Sequence, residues 1–263
     1  MKTLAFCNQK GGVGKSTTVY HLTRAATLAG KRVLVIDADP QGNITRALTE
    51  DVAEGDAVVA DALSDHSTDT LRDVLVSGIW DGLTVAPTAG DTLSPVRDEL
   101  VATPKPGREA RMRTQLAAIQ DDYDLILIDC GPALDQLTIN ALTAAEGVVI
   151  VTQSKQWSLD GLALLLNTIR DVRTYYNPQL DVSGLVVNMH EEQTSAGRHW
   201  AGELEAAAEA NALRILSPYV PKRQAIADAV DYGQGLDEAD SKARPLADIY
   251  AAHLAQLTEG ATK

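Results

Sequence analysis

Eight residues near the amino terminus constrain this chain more than any other stretch: Lys10-Gly11-Gly12-Val13-Gly14-Lys15-Ser16-Thr17. They follow a short apolar run, Thr3-Leu4-Ala5-Phe6-Cys7, and precede a helix-compatible stretch, Thr18 to Ala29. Strand, glycine loop, helix is a setting for phosphate binding. Glycines let backbone N–H groups turn inward and approach phosphate oxygens with no Cβ in the way. The helix that follows points its positive end at the same place. Lys15 is positioned to reach β- and γ-phosphates, the Ser16 hydroxyl to ligate Mg²⁺, and Thr17 to add a phosphate contact. The competing account is a glycine turn with no ligand; the flanking strand and helix weigh against it.

Two details set the loop apart. Gln9 stands where G-x-x-x-x-G-K-[ST] has its first glycine, and a second lysine, Lys10, sits at the entrance. K-G-G-x-G-K-[ST] is the deviant Walker A signature, and Asn8 to Thr17 closely resembles the ParA-type partition ATPases. The resemblance covers nearly the whole chain, strongest over 4–48, good over 121–153 and looser afterwards. It implies an α/β fold of the P-loop NTPase kind: a doubly wound, mostly parallel sheet flanked by helices. It implies one domain over 1–263, with no N-terminal DNA-binding extension before a loop that begins at residue 10. ATP and Mg²⁺ are the cofactors it implies. The nucleotide-binding set is Lys10, Gly11, Gly12, Val13, Gly14, Lys15, Ser16 and Thr17.

Two further apolar runs end in acids. In Arg32-Val33-Leu34-Val35-Ile36-Asp37-Ala38-Asp39-Pro40-Gln41-Gly42-Asn43 the near-continuous apolar run reads as a strand buried on both faces, as in a parallel sheet. Ligands of open α/β sheets bind at such carboxyl ends. Asp37 and Asp39, two apart, share a face in extended geometry; a solvated turn helped by Pro40 and Gly42 is the plainer account. The string resembles the switch I segment of the ParA family, which implies that Asp39 orients the attacking water and Asp37 lies near the metal. Asp124-Leu125-Ile126-Leu127-Ile128-Asp129 fits Walker B, whose carboxylate holds Mg²⁺. The following Cys130-Gly131-Pro132 resembles switch II, where the Gly131 N–H would sense the γ-phosphate; the D-x-P-P of most relatives is not matched at Gly131. The resemblance also proposes Asn188, at a later strand end, and Pro221, in Val220-Pro221-Lys222-Arg223, as contacts to the base. A turn-forming Asn is the alternative for Asn188.

Apolar runs alternating with helical patterns support the doubly wound sheet. Further strands are expected at Leu83–Pro87, Gly147–Gln153 and Asp181–Met189. Helices are expected at Asp91–Val101, Arg108–Gln120, Asp135–Ala144, Trp157–Tyr176, Gln193–Ala210 and Leu246–Leu257. Gly30 reads as the stop of the first helix. The acidic stretch 50–70 reads as short surface helices and loops. Cys7 and Cys130 lie in strand-like runs and read as buried small hydrophobes in a reduced compartment. No apolar stretch reaches the ~18 residues of a membrane helix, and no signal peptide precedes the first strand. A cytoplasmic protein is expected, associated with the nucleoid if it binds DNA.

Charge complicates the partner. Against 23 Lys and Arg stand 36 Asp and Glu, a net −13, and such a field opposes DNA binding except at a local basic patch. Arg198, Lys222, Arg223, Lys242 and Arg244 are the basic candidates in the last third. The resemblance implies an ATP-dependent homodimer that binds DNA non-specifically and is stimulated by a ParB-like activating protein. The catalytic set is Lys10, Lys15 and Asp39; the metal set is Ser16, Asp37 and Asp129. Since Lys15 already serves the loop, Lys10 makes better sense reaching across a dimer to the partner's nucleotide. Three alternatives share the fold: a ParA-like ATPase positioning a protein cargo, a MinD-like membrane-cycling ATPase, and a metabolic or metallocluster enzyme. The terminal helix lacks the basic residues that the MinD reading requires, so no membrane partner is expected. Cys7 and Cys130 lie in the wrong places for a cluster.

Overall fold

A computed structural model describes residues 2–53, 55–102, 105–155 and 158–258. The aliphatic runs form β1 (Lys2–Cys7), β2 (Val33–Ala38), β4 (Leu83–Ala86), β5 (Leu125–Cys130), β6 (Gly147–Gln153) and β7 (Asp181–Asn188). They pair in parallel in the order β4-β2-β5-β1-β6-β7. A two-residue strand, β3 (Val76–Ser77), closes the β4 edge antiparallel. The sheet is thus the mostly parallel one expected. β3 is too short to show a period in the sequence.

Every residue of β2 and β5 is buried, and alternate residues feed two separate cores. Leu34, Ile36, Ile126 and Ile128 face one core. Val33, Val35, Leu125 and Leu127 face the other. The first core is covered by α3 (Val59–Leu63), α4 (Leu93–Ala102), α5 (Arg111–Leu116), α6 (Gln136–Ala144) and α7 (Ser158–Tyr175), joined by Leu204 of α8 (Ser195–Ala210). The second is covered by α1 (Lys15–Leu28), α2 (Asn43–Leu48), α9 (Gln224–Asp231) and α10 (Arg244–Thr258). Helices on both faces are what a parallel sheet needs. Gly30 does end α1, at φ +71°, with its N–H donated to the Thr27 carbonyl at 2.9 Å. The start expected for α7 at Trp157, and the side chain of Leu159, lie outside the described residues.

Two expectations need correction. Residues 50–70 are not simply surface: Val58, Val59, Ala60, Ala62 and Leu63 are buried in the first core. Their acids misled because they are used locally. Asp61 accepts from the Val58 N–H at 2.8 Å, and Asp65 pairs with Arg111 at 2.6 Å. The single helix expected over 108–120 is broken into a 3₁₀ turn at Arg108–Ala110, α5, and a second turn at Gln120–Asp122. Asn140 of α6 intercepts the backbone there, donating to the Arg108 carbonyl at 2.9 Å and accepting from the Met112 N–H at 3.2 Å. A contact across 28 or more residues leaves no mark on local periodicity.

The terminal helix α10 buries Leu246, Tyr250, Leu254 and Leu257 against the second core, next to α1. Burial holds the imidazole of His21, on α1, down to about 4 despite its ring Nε2 bonding the Ile226 carbonyl at 3.0 Å. Cys7 and Cys130 are buried free thiols, as expected. Among the described residues no helix is long and apolar enough to cross a membrane.

Candidate nucleotide site

The sheet order puts β2, β5 and β1 side by side, so their carboxyl ends deliver Asp37, Asp129 and the glycine loop to one place. Asp37 and Asp129 are register partners on β2 and β5, and Phe6 of β1 lies opposite Asp129. Such a strand-end crevice is where open α/β sheets bind ligands.

The loop is held from below by three amides. Asn8 accepts from the Lys10 N–H at 2.9 Å and donates to the Val151 carbonyl at 2.6 Å. Gln153, ending β6, donates to the Gly12 carbonyl at 3.1 Å. Asn188, ending β7, donates to the Val13 carbonyl at 2.8 Å. The Gly12 and Val13 carbonyls are therefore turned inward and held. Gly14 has φ +88°, and a Cβ there would collide with the Asn188 amide, so the position requires glycine. The loop then runs straight into α1.

A cavity of about 660 Å³ opens above the loop. Gly11, Gly12, Gly14, Lys15, Ser16 and Thr17 line it, together with Asp39 from the β2 end and Pro132 from the β5 end. The size falls in the range of small-molecule sites. Its other wall is Gln41, Asn43, Ile44, Arg46 and Ala47 around α2, and Val230 and Asp231 at the end of α9. Of this second wall only Gln41 and Asn43 fall in a stretch marked by motif, the string after Asp39. Gly131 sits against Asp39: a Cβ on it would lie 3.4 Å from Asp39 Oδ1.

The acids divide by environment. Asp37 is fully engaged: one oxygen accepts from the Asp39 N–H at 3.1 Å, the other from the Thr45 N–H at 3.0 Å and hydroxyl at 2.6 Å. Burial raises its pKa to about 7 against these hydrogen bonds. It anchors α2 to the sheet. Asp39 accepts from the Gln41 N–H at 3.0 Å through one oxygen and faces the cavity. Asp129 is wholly buried, and neither of its oxygens has a hydrogen-bond partner. Its pKa is raised to about 8, first by burial and then by the Asp37 charge, with Ser16 and Lys15 opposing. Ser16 lies close enough to exert that effect without making a hydrogen bond of normal geometry.

An orphaned, buried carboxylate beside a serine hydroxyl fits a divalent cation. Among the described residues no group of three or more His, Cys, Asp or Glu forms a metal cluster. Mg²⁺ takes one or two protein ligands and completes its shell with water and substrate phosphates. Ser16 and Asp129 are the residues that would hold it, with Asp37 one strand away.

The remaining candidates lie elsewhere. Lys10 has a half-buried side chain outside the cavity lining. Asn188 is buried beneath the loop, and Pro221 bridges His190; neither lines the cavity. Arg198 donates to the Glu192 carbonyl at 2.8 Å and Lys222 pairs with Glu191 at 2.6 Å, so these two share one turn, and Arg223 caps α9 beside them. Arg244 instead lines a groove between α1 and α10 with Arg24 and Asp237, and Lys242 precedes it. The five cations are therefore split between two places.

Residues 1–182 match the family described as AAA domain, AAA_31. The sporulation initiation inhibitor protein Soj of Bacillus subtilis is 35% identical over 249 residues, 95% of each chain. The chromosome partitioning protein ParA of Caulobacter vibrioides is 36% identical over 236 residues, covering 89% of this chain and 85% of that one. Among solved structures, cobyrinic acid a,c-diamide synthase from Mycobacterium smegmatis, with bound ATP analogue and magnesium, has a TM-score of 0.81 at 30% identity, covering 99% and 97%. Apo McdA from Cyanothece superposes with a TM-score of 0.85 at 23% identity, covering 98% and 99%, a likeness of fold.

Proposed function

The chain belongs to the AAA_31 family of Soj/ParA-type ATPases, and from that premise we propose that it is an ATP-driven dimerising switch of DNA partition in the cytoplasm. In this reading ATP closes a dimer, the dimer binds DNA without sequence preference, and a ParB-like protein triggers hydrolysis. The observation that carries the enzymatic part is the pairing of two buried acids at one glycine loop: Asp129, unpartnered, and Asp39, which lines the cavity.

Phosphoryl transfer to water is mostly positioning and charge stabilisation. The loop N–H groups and the α1 N-terminus hold phosphate oxygens, and Lys15 neutralises them from the foot of the loop. Bound Mg²⁺ would neutralise charge on the β- and γ-phosphates. Asp39, which makes no ion pair among the described residues, orients the attacking water. Asp39→Ala is expected to leave ATP affinity within about twofold and lower turnover by roughly a hundredfold or more. Equilibrium titration and phosphate release measure the two. A loss of ATP affinity would make Asp39 a structural or metal-binding group.

DNA binding is tested by titrating random-sequence duplex at several salt concentrations, with ATP and with ADP. Binding is expected with ATP, weakening with a log–log salt slope of roughly −0.9 per phosphate contact. Absence of binding at low salt would turn the reading to a protein cargo. That second reading is favoured by the net charge of −13 and by Glu191 already occupying Lys222. The MinD-like reading has less support, because the apolar face of α10 is spent on the second core.

A further inference from the structure

The cavity wall contributed by α2 carries a cation that the loop motif does not contain. The charged residues lining the cavity are Lys15, Asp39, Arg46 and Asp231. Lys15 is buried at the foot of the loop, under the field of Asp129. Arg46 is exposed to the cavity. Its Nη2 donates to Asn43 Oδ1 at 2.7 Å, one helical turn back. Its Nη1 lies 3.5 Å from where a Gly42 side chain would begin. The guanidinium is thus folded back over Gly42, on the same cavity that Asp39 lines, and is steadied there by a neutral amide.

Its place, together with the missing counter-charge, is the informative part. Arg24, Arg32, Arg72, Arg97, Arg108 and Arg111 pair with carboxylates at 3.0 Å or less, whereas Arg113, Arg170, Arg198, Arg214, Arg223 and Arg244 make no ion pair among the described residues but lie outside this cavity. Arg46 has no ion pair among the described residues, although Asp39 and Asp231 line the same cavity. In so acidic a chain, a cation held open over a phosphate-binding loop is positioned for an anion from outside. A planar guanidinium with one edge anchored offers its remaining N–H groups as a fork for phosphate oxygens.

We propose that Arg46 is a phosphate-binding residue of this cavity, contacting the terminal phosphate of a nucleoside triphosphate held by the loop of the same chain. This rests on the ATPase reading above. It adds a cation in cis on the α2 side, which makes the Asp39–Gly42 turn and α2 responsive to whether a γ-phosphate is present.

The test is calorimetric titration of the intact protein, with Mg²⁺, using a non-hydrolysable ATP analogue, ADP and AMP. Wild type, Arg46→Ala and Arg46→Lys are compared, with thermal midpoints measured in the absence of nucleotide. Arg46→Ala is expected to weaken the triphosphate analogue by roughly tenfold, as for loss of one charge-assisted hydrogen bond. ADP should change little, AMP not at all, and the midpoint without nucleotide should stay put. Arg46→Lys should recover part of the loss, as a point charge without the fork. Unchanged triphosphate affinity in Arg46→Ala would overturn the proposal, as would an equal loss for all three nucleotides. Wild type that binds no triphosphate would overturn the ATPase reading as well, while normal wild-type binding with a silent Arg46 would overturn this proposal alone.

Discussion

Lys15→Ala abolishes ATP binding, whereas Lys10→Ala keeps it and loses ATP-driven dimerisation and hydrolysis: this separation is the expected result of mutating the two loop lysines. The structure gives them different surroundings. Lys15 begins α1, is buried, and lines the cavity beneath the loop N–H groups. Its removal takes away the loop's own phosphate cation. Lys10 stands at the entrance, outside the cavity lining. Its backbone N–H is fixed by Asn8 at 2.9 Å, while its ammonium makes no ion pair among the described residues. A backbone pinned in place and an unengaged side chain suit a group that completes its contacts only when a second copy arrives. By analogy with an arginine supplied in trans, its loss should lower hydrolysis by roughly a thousandfold. Nucleotide titration and light scattering read the two effects. Lys10→Ala protein that dimerises on ATP and hydrolyses at the normal rate would falsify the trans role.

Much of this site is legible in the sequence because its parts are local. The loop, the strand before it and the helix after it are contiguous, and Asp37, Asp39 and Asp129 each close an aliphatic run. A strand buried on both faces must be apolar throughout, so its first acid marks where the strand emerges at the sheet's edge. What stays hidden depends on contacts between distant segments. Asn8, Gln153 and Asn188 come together under the loop only because the sheet order sets β6 beside β1 and β7 beside β6. Asn188, read from the resemblance as a contact to the base, spends its amide on the Val13 carbonyl, 175 residues away. Arg46 and Asp231 meet only at the cavity, because α2 and α9 flank α1. The basic candidates show the same limit from the other side. Lys222 looks available in the sequence, but Glu191, 31 residues earlier, pairs with it.

Asp129 should reveal its role through a trade between stability and activity. The chain buries a carboxylate that nothing satisfies, and burying an unpaired charge is costly. Asp129→Asn is therefore expected to raise the thermal midpoint of the protein in EDTA while removing Mg²⁺-dependent hydrolysis. Its folded pKa, near 8, lies well above the ordinary 3.8 of an unfolded aspartate. With a folded value raised in this way, the native state holds its proton more tightly than the unfolded chain. The penalty is absent below the unfolded pKa, grows as pH rises, and is complete once pH passes the folded pKa. The advantage of Asn over Asp should follow the same course: negligible near pH 4 and largest at pH 8 and above. Allowing for the amide's own unmet hydrogen bonds, a gain of about 2 kcal/mol at pH 8 corresponds to roughly 4–8 °C for a chain of this size. Mg²⁺ with nucleotide should then stabilise wild type more than the variant, since only the carboxylate has a charge for the cation to neutralise. Scanning calorimetry at pH 5 and pH 8, in EDTA and with Mg²⁺ and an ATP analogue, measures all of this. A variant less stable than wild type at pH 8 in EDTA would mean that Asp129 is satisfied within the fold, and its assignment to the metal would fall.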